Sequence, residues 1–199
     1  MTVALLIVIA YLIGSIPFGI IVGKMRGFDP RAVGSGNIGM TNVARAGGSS
    51  AAAITFVGDV LKGAIPVAVV RAMGFPPHVL AWVGLGAFLG SIFSIFLGFS
   101  GGKGLSASLG IWVVLAPMAL LIALAAFIIT FALSRIMSLA SMVAAIVLVP
   151  AVAALAMPPH YALLAIVMSA LVLLRHQENI RRLIAGEEKR FEVRKSKAG

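Results

Sequence analysis

The chain contains no cysteine, and only six of its 199 residues are acidic. The lack of cysteine excludes disulfides, thiolate nucleophiles and cysteine-based metal sites. No two histidines or carboxylates have the spacing of a metal site, and no Ser–His–Asp order stands out, so we expect no metal or other cofactor. Charged residues make up 11% of the chain, against about a quarter in soluble proteins. That shortage argues against a soluble globular enzyme, and the high hydrophobic content argues against a disordered chain.

Apolar sequence dominates instead, because 61% of the residues are hydrophobic. A helix needs about 20 apolar residues to cross the hydrocarbon of a bilayer. The candidate spans are Val3–Gly23, Ala51–Met73, His78–Leu97, Leu105–Leu133, Ile136–Met157 and Tyr161–Leu174. The first run lacks the positively charged start and short apolar stretch of a signal peptide. The sequence therefore predicts an all-α, polytopic integral membrane protein.

The Leu105–Leu133 run decides the number of spans. As one helix it would measure about 43 Å, against about 30 Å of hydrocarbon, and Pro117 lies in its middle. Dividing it there gives seven spans. With the N-terminus outside, most basic residues then fall on the cytoplasmic side, as the positive-inside rule requires. They lie in three loops and a tail, which contain Lys24 to Arg45, Lys103, Arg135 and the segment from Arg175 onward.

We therefore predict one membrane-embedded domain over residues 1–199, with the C-terminus in the cytoplasm. Residues 175–199 form a basic cytoplasmic tail with a short helix over Asn179–Ala185, and many of its charges would contact anionic membrane lipid. The formal net charge of +10 then follows from topology. Nucleic acid is not needed to explain it, since the chain has neither a recognition motif nor aromatic platforms.

Polar residues outside the tail collect in loops on the predicted cytoplasmic face. Gly34–Gly39 has the spacing G-x-G-x-x-G, but no βαβ unit surrounds it, so a dinucleotide fold is rejected. Glycines still let the backbone approach a ligand, and consecutive N–H groups form an anion-binding concavity. Side chains that add donors or positive charge are Ser35, Asn37, Thr41, Asn42 and Arg45. The same composition also fits an ordinary glycine-rich connector.

Lys103 stands in the second glycine motif, Gly101–Gly104. The glycine spacing is one residue short of a Walker A loop, and Gly104 replaces its Ser or Thr. A lysine flanked by glycines at the start of a helix suits an anion. A simple positive-inside anchor is the alternative.

Ionisable residues inside the apolar runs are few. Asp59 and Lys62 are three apart on one helix face, and we favour a self-neutralising structural pair over direct catalysis. His176 and Asn179 also share a helix face, where a polar helix end at the interface is the alternative to a site. His78 and His160 are assigned to the membrane interface at the exterior loops.

Together these features predict a cytoplasm-facing pocket that binds phosphate groups. The competing hypothesis is a transporter of a phosphorylated small molecule. A transport path carries polar groups on both faces or at the midplane. The predicted exterior loops, Gly74–Pro77 and Pro158–His160, are nearly bare of them, which favours a one-sided enzyme.

Five motifs in order resemble the bacterial acyl-phosphate-dependent glycerol-3-phosphate acyltransferases. They are Gly14–Gly19, Gly34–Val43 with Arg45, Asp59-x-x-Lys62-Gly63, Gly101–Gly104 and Arg175-His176-x-x-Asn179-Ile180. Each motif alone is weak, but the ordered set is highly specific and runs from Gly14 to about Gly186.

The resemblance implies a seven-helix enzyme of phospholipid biosynthesis in the bacterial cell inner membrane, with its active site facing the cytoplasm. It implies transfer of a fatty acyl group from acyl phosphate to the 1-position of glycerol 3-phosphate, giving 1-acylglycerol 3-phosphate (lysophosphatidic acid) and phosphate. It also implies a functional link to the enzyme that makes acyl phosphate. The donor phosphate itself would help to deprotonate the attacking hydroxyl, without a covalent acyl-enzyme.

By the same resemblance, the site residues take two roles. The loop around the acyl-phosphate group would contain Gly34, Ser35, Gly36, Asn37, Gly39, Thr41 and Asn42. Glycerol 3-phosphate and the charge of the leaving phosphate would be held by Arg45, Lys103, Ser141, His176 and Asn179. Among these, the catalytic set would be Ser35, Arg45, Lys103, His176 and Asn179.

The chain departs from the family pattern beside these motifs. Ser91 stands near a usual histidine, Ser94 near a usual proline and Ser100 at a usually basic position. Leu105-Ser-Ala107 replaces Val-Ala-Thr. A divergent paralogue with weaker activity or another substrate is therefore a further hypothesis.

Overall fold

The computed structural model describes residues 2–190, so the predicted tail beyond Arg190 lies outside the described residues. Within that range the chain forms α-helices and two short 3₁₀ turns, without strands, which confirms the all-α prediction. The helices are α1 (Val3–Gly14), α2 (Phe18–Met25), α3 (Met40–Ala72), α4 (Pro77–Ile92), α5 (Leu105–Leu115), α6 (Pro117–Ser134), α7 (Met137–Ala154), α8 (Pro159–Arg175) and α9 (Gln177–Ile184).

The first predicted span is present but broken, because α1 ends at Gly14 and α2 begins after Pro17. Proline has no N–H to continue the helix, so backbone carbonyls before it lose their partners. Two side chains from other helices supply donors: Lys62 Nζ donates to the Ile16 carbonyl at 3.0 Å and Ser94 Oγ to the Ser15 carbonyl at 2.6 Å. Backbone carbonyls within a bilayer need such hydrogen-bond donors from the protein, because water is not available there to replace the missing bonds.

Helix α3 is longer than the predicted Ala51–Met73 span, because residues 40–50 are helical rather than loop. Gly48 interrupts it with φ 80° and ψ −178°, a backbone conformation open to glycine but strained for other residues. The break separates an N-terminal helical segment, 40–47, from the span itself. Inside the span, Lys62 Nζ lies 2.7 Å from Asp59 Oδ1, so the two side chains form the predicted ion pair, and its structural role stays a prediction.

The Leu105–Leu133 run is divided where proline predicts it, with Ala116 at φ −150° between α5 and α6. The Arg71 guanidinium donates to the Val114 carbonyl near the break. By length and composition five helical segments of the described chain could cross a membrane, and the pair α8–α9, bent by 60°, makes a sixth. Helix α5 is shorter, so seven spans and their orientation stay a prediction.

Close packing places the helices around one core. Glycines let α1 approach α4, since a Cβ at Gly14 or Gly90 would collide with the backbone of the other helix, as is common where membrane helices meet. Helices α6 and α7 form a hairpin that packs against α8. A cavity remains between α5 and these three helices. At the far end of the bundle, the His78 and His160 rings lie 5.6 Å apart, so both predicted exterior loops share one end.

Candidate active site

The cavity has a volume of about 680 Å³ and contains the predicted site. Every predicted site residue except Gly36 lines it: Gly34, Ser35, Asn37, Gly39, Thr41, Asn42, Arg45, Lys103, Ser141, His176 and Asn179. These residues come from the α2–α3 loop, the start of α3, the α4–α5 loop, α7 and the α8–α9 junction. Tertiary folding therefore brings four separated sequence motifs to one end of one cavity.

Asn42 holds the glycine loop in shape. Its side chain is 2% exposed, and its Nδ2 donates to the carbonyls of Pro30 (2.6 Å), Val33 (2.9 Å) and Asn37 (2.8 Å). Its Oδ1 accepts from the Ser35 N–H at 3.0 Å. These bonds give Asn42 a positioning role in the loop. Its side chain also lines the cavity, and its contact with substrate stays a prediction.

Two glycines supply the backbone turns of this loop. Gly34 and Gly36 have φ values of 61° and 68°, in the left-handed region that favours glycine. A side chain at Gly34 would also collide with Asn42 and Arg45. Gly36 does not line the cavity, so its part in the site is conformational.

Two helix N-termini open into the polar end of the cavity. Helix α3 begins after Gly39 and α5 after Gly104, and no side chain caps either of them. The first N–H groups of a helix lack internal partners, and the helix dipole adds partial positive charge there. Uncapped glycine ends leave these donors available to an anion.

Lys103 connects to a network that sequence reasoning missed. Its Nζ donates to Asn179 Oδ1, and Asn179 Nδ2 donates to Glu188 Oε1 at 2.5 Å. Glu188 also accepts from Ser138 Oγ at 2.7 Å and from Arg182 Nε at 2.7 Å. The described part of the predicted tail, up to Arg190, therefore folds back over the cavity mouth, and the Glu188 carboxylate fixes three cavity-lining side chains.

The electrostatics of this network are set by burial and by hydrogen bonds. Burial lowers the pKa of Lys103 to about 8, although the Glu188 carboxylate opposes that shift. Burial alone would raise the pKa of Glu188, but hydrogen bonds from Ser138, Arg182 and Asn179 outweigh it and hold that pKa below its usual value. Arg45 is exposed, lines the cavity and makes no ion pair within residues 2–190.

His176 is 1% exposed and lies at the junction of α8 and α9. Its Nδ1 is 2.8 Å from the Val172 carbonyl oxygen. A carbonyl can only accept, so Nδ1 carries the hydrogen, and Nε2 of the neutral ring is an acceptor. Nearby, Ser141 Oγ donates to the Met137 carbonyl at 2.8 Å, which leaves its oxygen lone pairs for a donor.

Two of the three serines that depart from the family pattern, Ser91 and Ser94, make side-chain hydrogen bonds to backbone carbonyls. Ser91 is buried at the cavity wall and donates from Oγ to the Phe88 carbonyl at 2.7 Å. Ser94 donates to Ser15 across the first broken span. Ser91 adds a hydroxyl to the cavity where a histidine is usual.

Glu188→Ala should both destabilise the protein and disorganise the cavity mouth. Three donors lose their acceptor, and leaving such groups unpaired costs about 1–3 kcal/mol each. We expect a lower thermal unfolding temperature in detergent and weaker substrate binding. Glu187→Ala, at an exposed neighbouring position, is the matched control and should leave both unchanged. An unfolding temperature equal to that of the wild type would contradict the role assigned to the network.

Comparison with known proteins extends the resemblance across the whole chain. The family model for glycerol-3-phosphate acyltransferase matches residues 4–186. The glycerol-3-phosphate acyltransferase of Geobacter metallireducens is 49% identical over 189 residues, covering 95% of this chain and 97% of that protein. That of Rubrobacter xylanophilus is 44% identical over 195 residues, covering 98% of each.

Solved structures agree with the sequence comparison. Two crystal structures of PlsY (YgiH), an integral membrane glycerol 3-phosphate acyltransferase, superpose on this chain, and each covers 96% of both chains. The glycerol 3-phosphate form gives a TM-score of 0.92 at 39% identity, and the lysophosphatidic acid form 0.90 at 38%. This chain belongs to the glycerol-3-phosphate acyltransferase family.

Proposed function

We propose that this protein transfers a fatty acyl group from acyl phosphate to the 1-hydroxyl of glycerol 3-phosphate, giving lysophosphatidic acid and inorganic phosphate. The observation that carries the proposal is one cavity with two chemically distinct ends. Its mouth has uncapped helix N-termini and cationic side chains, and its interior is lined by apolar residues such as Trp112, Leu120 and Leu148. Both substrates carry phosphate, and one of them carries an acyl chain.

The reaction needs no covalent enzyme intermediate. The O1 hydroxyl of glycerol 3-phosphate attacks the acyl carbonyl carbon, a C–O ester bond forms, and the bond between that carbon and the phosphate oxygen breaks. The hydroxyl proton ends on the departing phosphate. His176 Nε2 would accept a hydrogen bond from the attacking hydroxyl and aim it at the carbonyl carbon, which supplies orientation.

Charge develops on the phosphate as it leaves. Lys103 Nζ and the N–H groups at the start of α5 face the polar mouth of the cavity. The loop with Ser35, Asn37 and Thr41 would hold the donor phosphate. Donors fixed in advance at a developing charge are usually the largest catalytic contribution. Asn179 would keep the Lys103 ammonium in place through its hydrogen bond.

The direct test supplies purified protein with palmitoyl phosphate and glycerol 3-phosphate and measures phosphate release with lysophosphatidic acid formation. Arg45→Ala should raise KM for glycerol 3-phosphate by roughly tenfold to a hundredfold, the loss expected for one charged hydrogen bond of about 1.5–3 kcal/mol. Arg26→Ala is the control, since Arg26 is exposed and donates to Ser50 outside the cavity. A wild type that is inactive with acyl phosphates of every chain length, or identical kinetics for Arg45→Ala, would overturn the proposal.

We further propose a location in the bacterial inner membrane, with seven spans and the active site facing the cytoplasm, next to the reaction that makes acyl phosphate. Substrates made in the cytoplasm would enter at the basic mouth. The alternative transporter is disfavoured because the cavity's deep end is made of buried apolar side chains of the core.

Single cysteines test this orientation cleanly, because the chain has none of its own. Ser49→Cys and Ala185→Cys, both at exposed positions, should react with a membrane-impermeant maleimide only in inverted vesicles. Met73→Cys, 51% exposed at the end of α3, should react only in right-side-out cells. Labelling of Ser49→Cys and Ala185→Cys from opposite sides would refute the seven-span topology.

A further inference from the structure

The deep end of the cavity is closed by side chains of the main hydrophobic core. Trp112, Met168, Leu148 and Leu120 line it and are only 0%, 1%, 5% and 9% exposed. All four belong to the main core cluster, which continues beyond them toward the far end of the bundle. A ligand that enters from the polar mouth therefore meets a packed floor, not an exit.

Three helices give a consistent depth for that floor. From Leu105 to Trp112 on α5, and from Ser141 to Leu148 on α7, the rise is about 10 Å at 1.5 Å per residue. From His176 to Met168 along α8 it is about 12 Å by the same rise. An extended chain of single bonds advances about 1.2 Å per bond, as it does in polypeptide. The apolar part of the cavity thus encloses about eight to ten carbons.

We propose that this floor selects the length of the acyl chain, and that Leu148 is its principal specificity-determining residue. The inference rests on the proposed acyl transfer. Leu148 lies on α7 about one turn below Ala144 and Ala145, whose small side chains widen the same wall. A chain that reaches Leu148 must stop or bend there. The size of the side chain at position 148 therefore sets the carbon number at which binding begins to weaken.

Changing that size should move the chain-length optimum in opposite directions. Leu148→Ala deepens the floor and should shift kcat/KM toward longer acyl phosphates. Leu148→Trp raises the floor and should reduce kcat/KM for the longest chains by roughly tenfold or more relative to the shortest, the scale of apolar-pocket discrimination. Ile146→Trp is the matched control, because Ile146 is on the same helix but 52% exposed and outside the cavity.

The experiment measures kcat/KM for wild type and the three variants across acyl phosphates from about six to about eighteen carbons, a range that extends below and above the roughly eight to ten enclosed carbons. Opposite shifts for the two Leu148 variants, with an unchanged profile for Ile146→Trp, support the proposal. An active wild type with one profile shared by all four proteins overturns it while leaving the acyltransferase function intact. Inactivity of the wild type at every length instead refutes the proposed function.

A binding measurement keeps the test independent of turnover. Trp82 is 52% exposed on α4, so Trp82→Phe leaves Trp112 as the only tryptophan of the chain. Lysophosphatidic acids brominated near the ninth carbon should quench Trp112 fluorescence more than those brominated at the second carbon. Leu148→Trp carries a second indole at the floor and is omitted here, whereas Leu148→Ala should leave quenching by the ninth-carbon bromine in place, because it changes neither the polar mouth nor the depth of Trp112. Equal quenching at both positions would contradict an acyl chain that runs to this floor.

Discussion

Replacing Lys103 with alanine should lower kcat/KM by roughly 10²–10³-fold, the usual effect of removing one donor aimed at a developing anion. Lys103 contributes the ammonium that is linked through Asn179 to the Glu188 network. It also stands directly before α5, whose N-terminus opens into the cavity. The loss should fall mainly on kcat, because charge on the departing phosphate increases in the transition state.

The pH dependence should identify the same group. Burial lowers the pKa of Lys103 to about 8, and only the protonated form can stabilise an anion. The kcat/KM of the wild type should therefore decline as pH rises through about 8, since this parameter follows the free enzyme. Bound phosphate favours the charged lysine, so the decline in kcat should lie at a higher pH. The Lys103→Arg variant should retain part of the activity and lose this decline.

Stability should respond to pH in the opposite direction. The pKa of Lys103 is lower in the folded protein than its ordinary value of 10.5, so the unfolded chain binds more protons between these two values. The empty protein therefore gains stability as pH rises from about 8 toward 10.5. If activity falls with rising pH while stability increases, the loss of activity comes from deprotonation of Lys103 and not from unfolding. A flat kcat/KM profile across pH 8 would contradict that role.

Sequence predicted the parts of this fold that depend on local composition. Long apolar runs located the spans, and Pro117 marked the division between α5 and α6. The break at Pro17 was missed because apolar residues continue through it. Its polar partners, Lys62 and Ser94, come from other helices, and only tertiary structure brings them there.

The site residues also fall into two groups, those that local sequence identifies and those that only the tertiary structure reveals. Glycine spacing and donor side chains identified the loop at Gly34–Gly39 and the lysine at Lys103. The length of α3 could not be predicted, because glycine and serine near Gly48 are poor helix formers. For Asn42 the sequence predicts only a contact with substrate, because its buried hydrogen bonds to the loop backbone are not visible in sequence. Glu188 belongs to no motif or periodic pattern in the sequence. It joins the hydrogen-bond network only because the chain after α9 folds back.

His176→Ala should reduce kcat by roughly 10²-fold, the loss expected when an attacking group is no longer held in the reactive geometry, with a smaller change in KM. The Val172 carbonyl fixes the Nδ1 hydrogen, so Nε2 is the acceptor that orients the attacking hydroxyl. His176→Gln retains hydrogen-bonding groups but cannot reproduce the ring geometry, and should recover only a small part of the activity.

The matched control for this variant is Ser169→Ala. Ser169 lies on the same helix and lines the same cavity, but its Oγ donates to the Ala145 carbonyl at 2.5 Å. Its loss should affect stability more than kcat, so it separates damage to α8 from loss of the imidazole. If kcat of His176→Ala equalled that of the wild type, the donor phosphate would both orient and deprotonate the hydroxyl. The buried imidazole would then serve only to join α8 to α9.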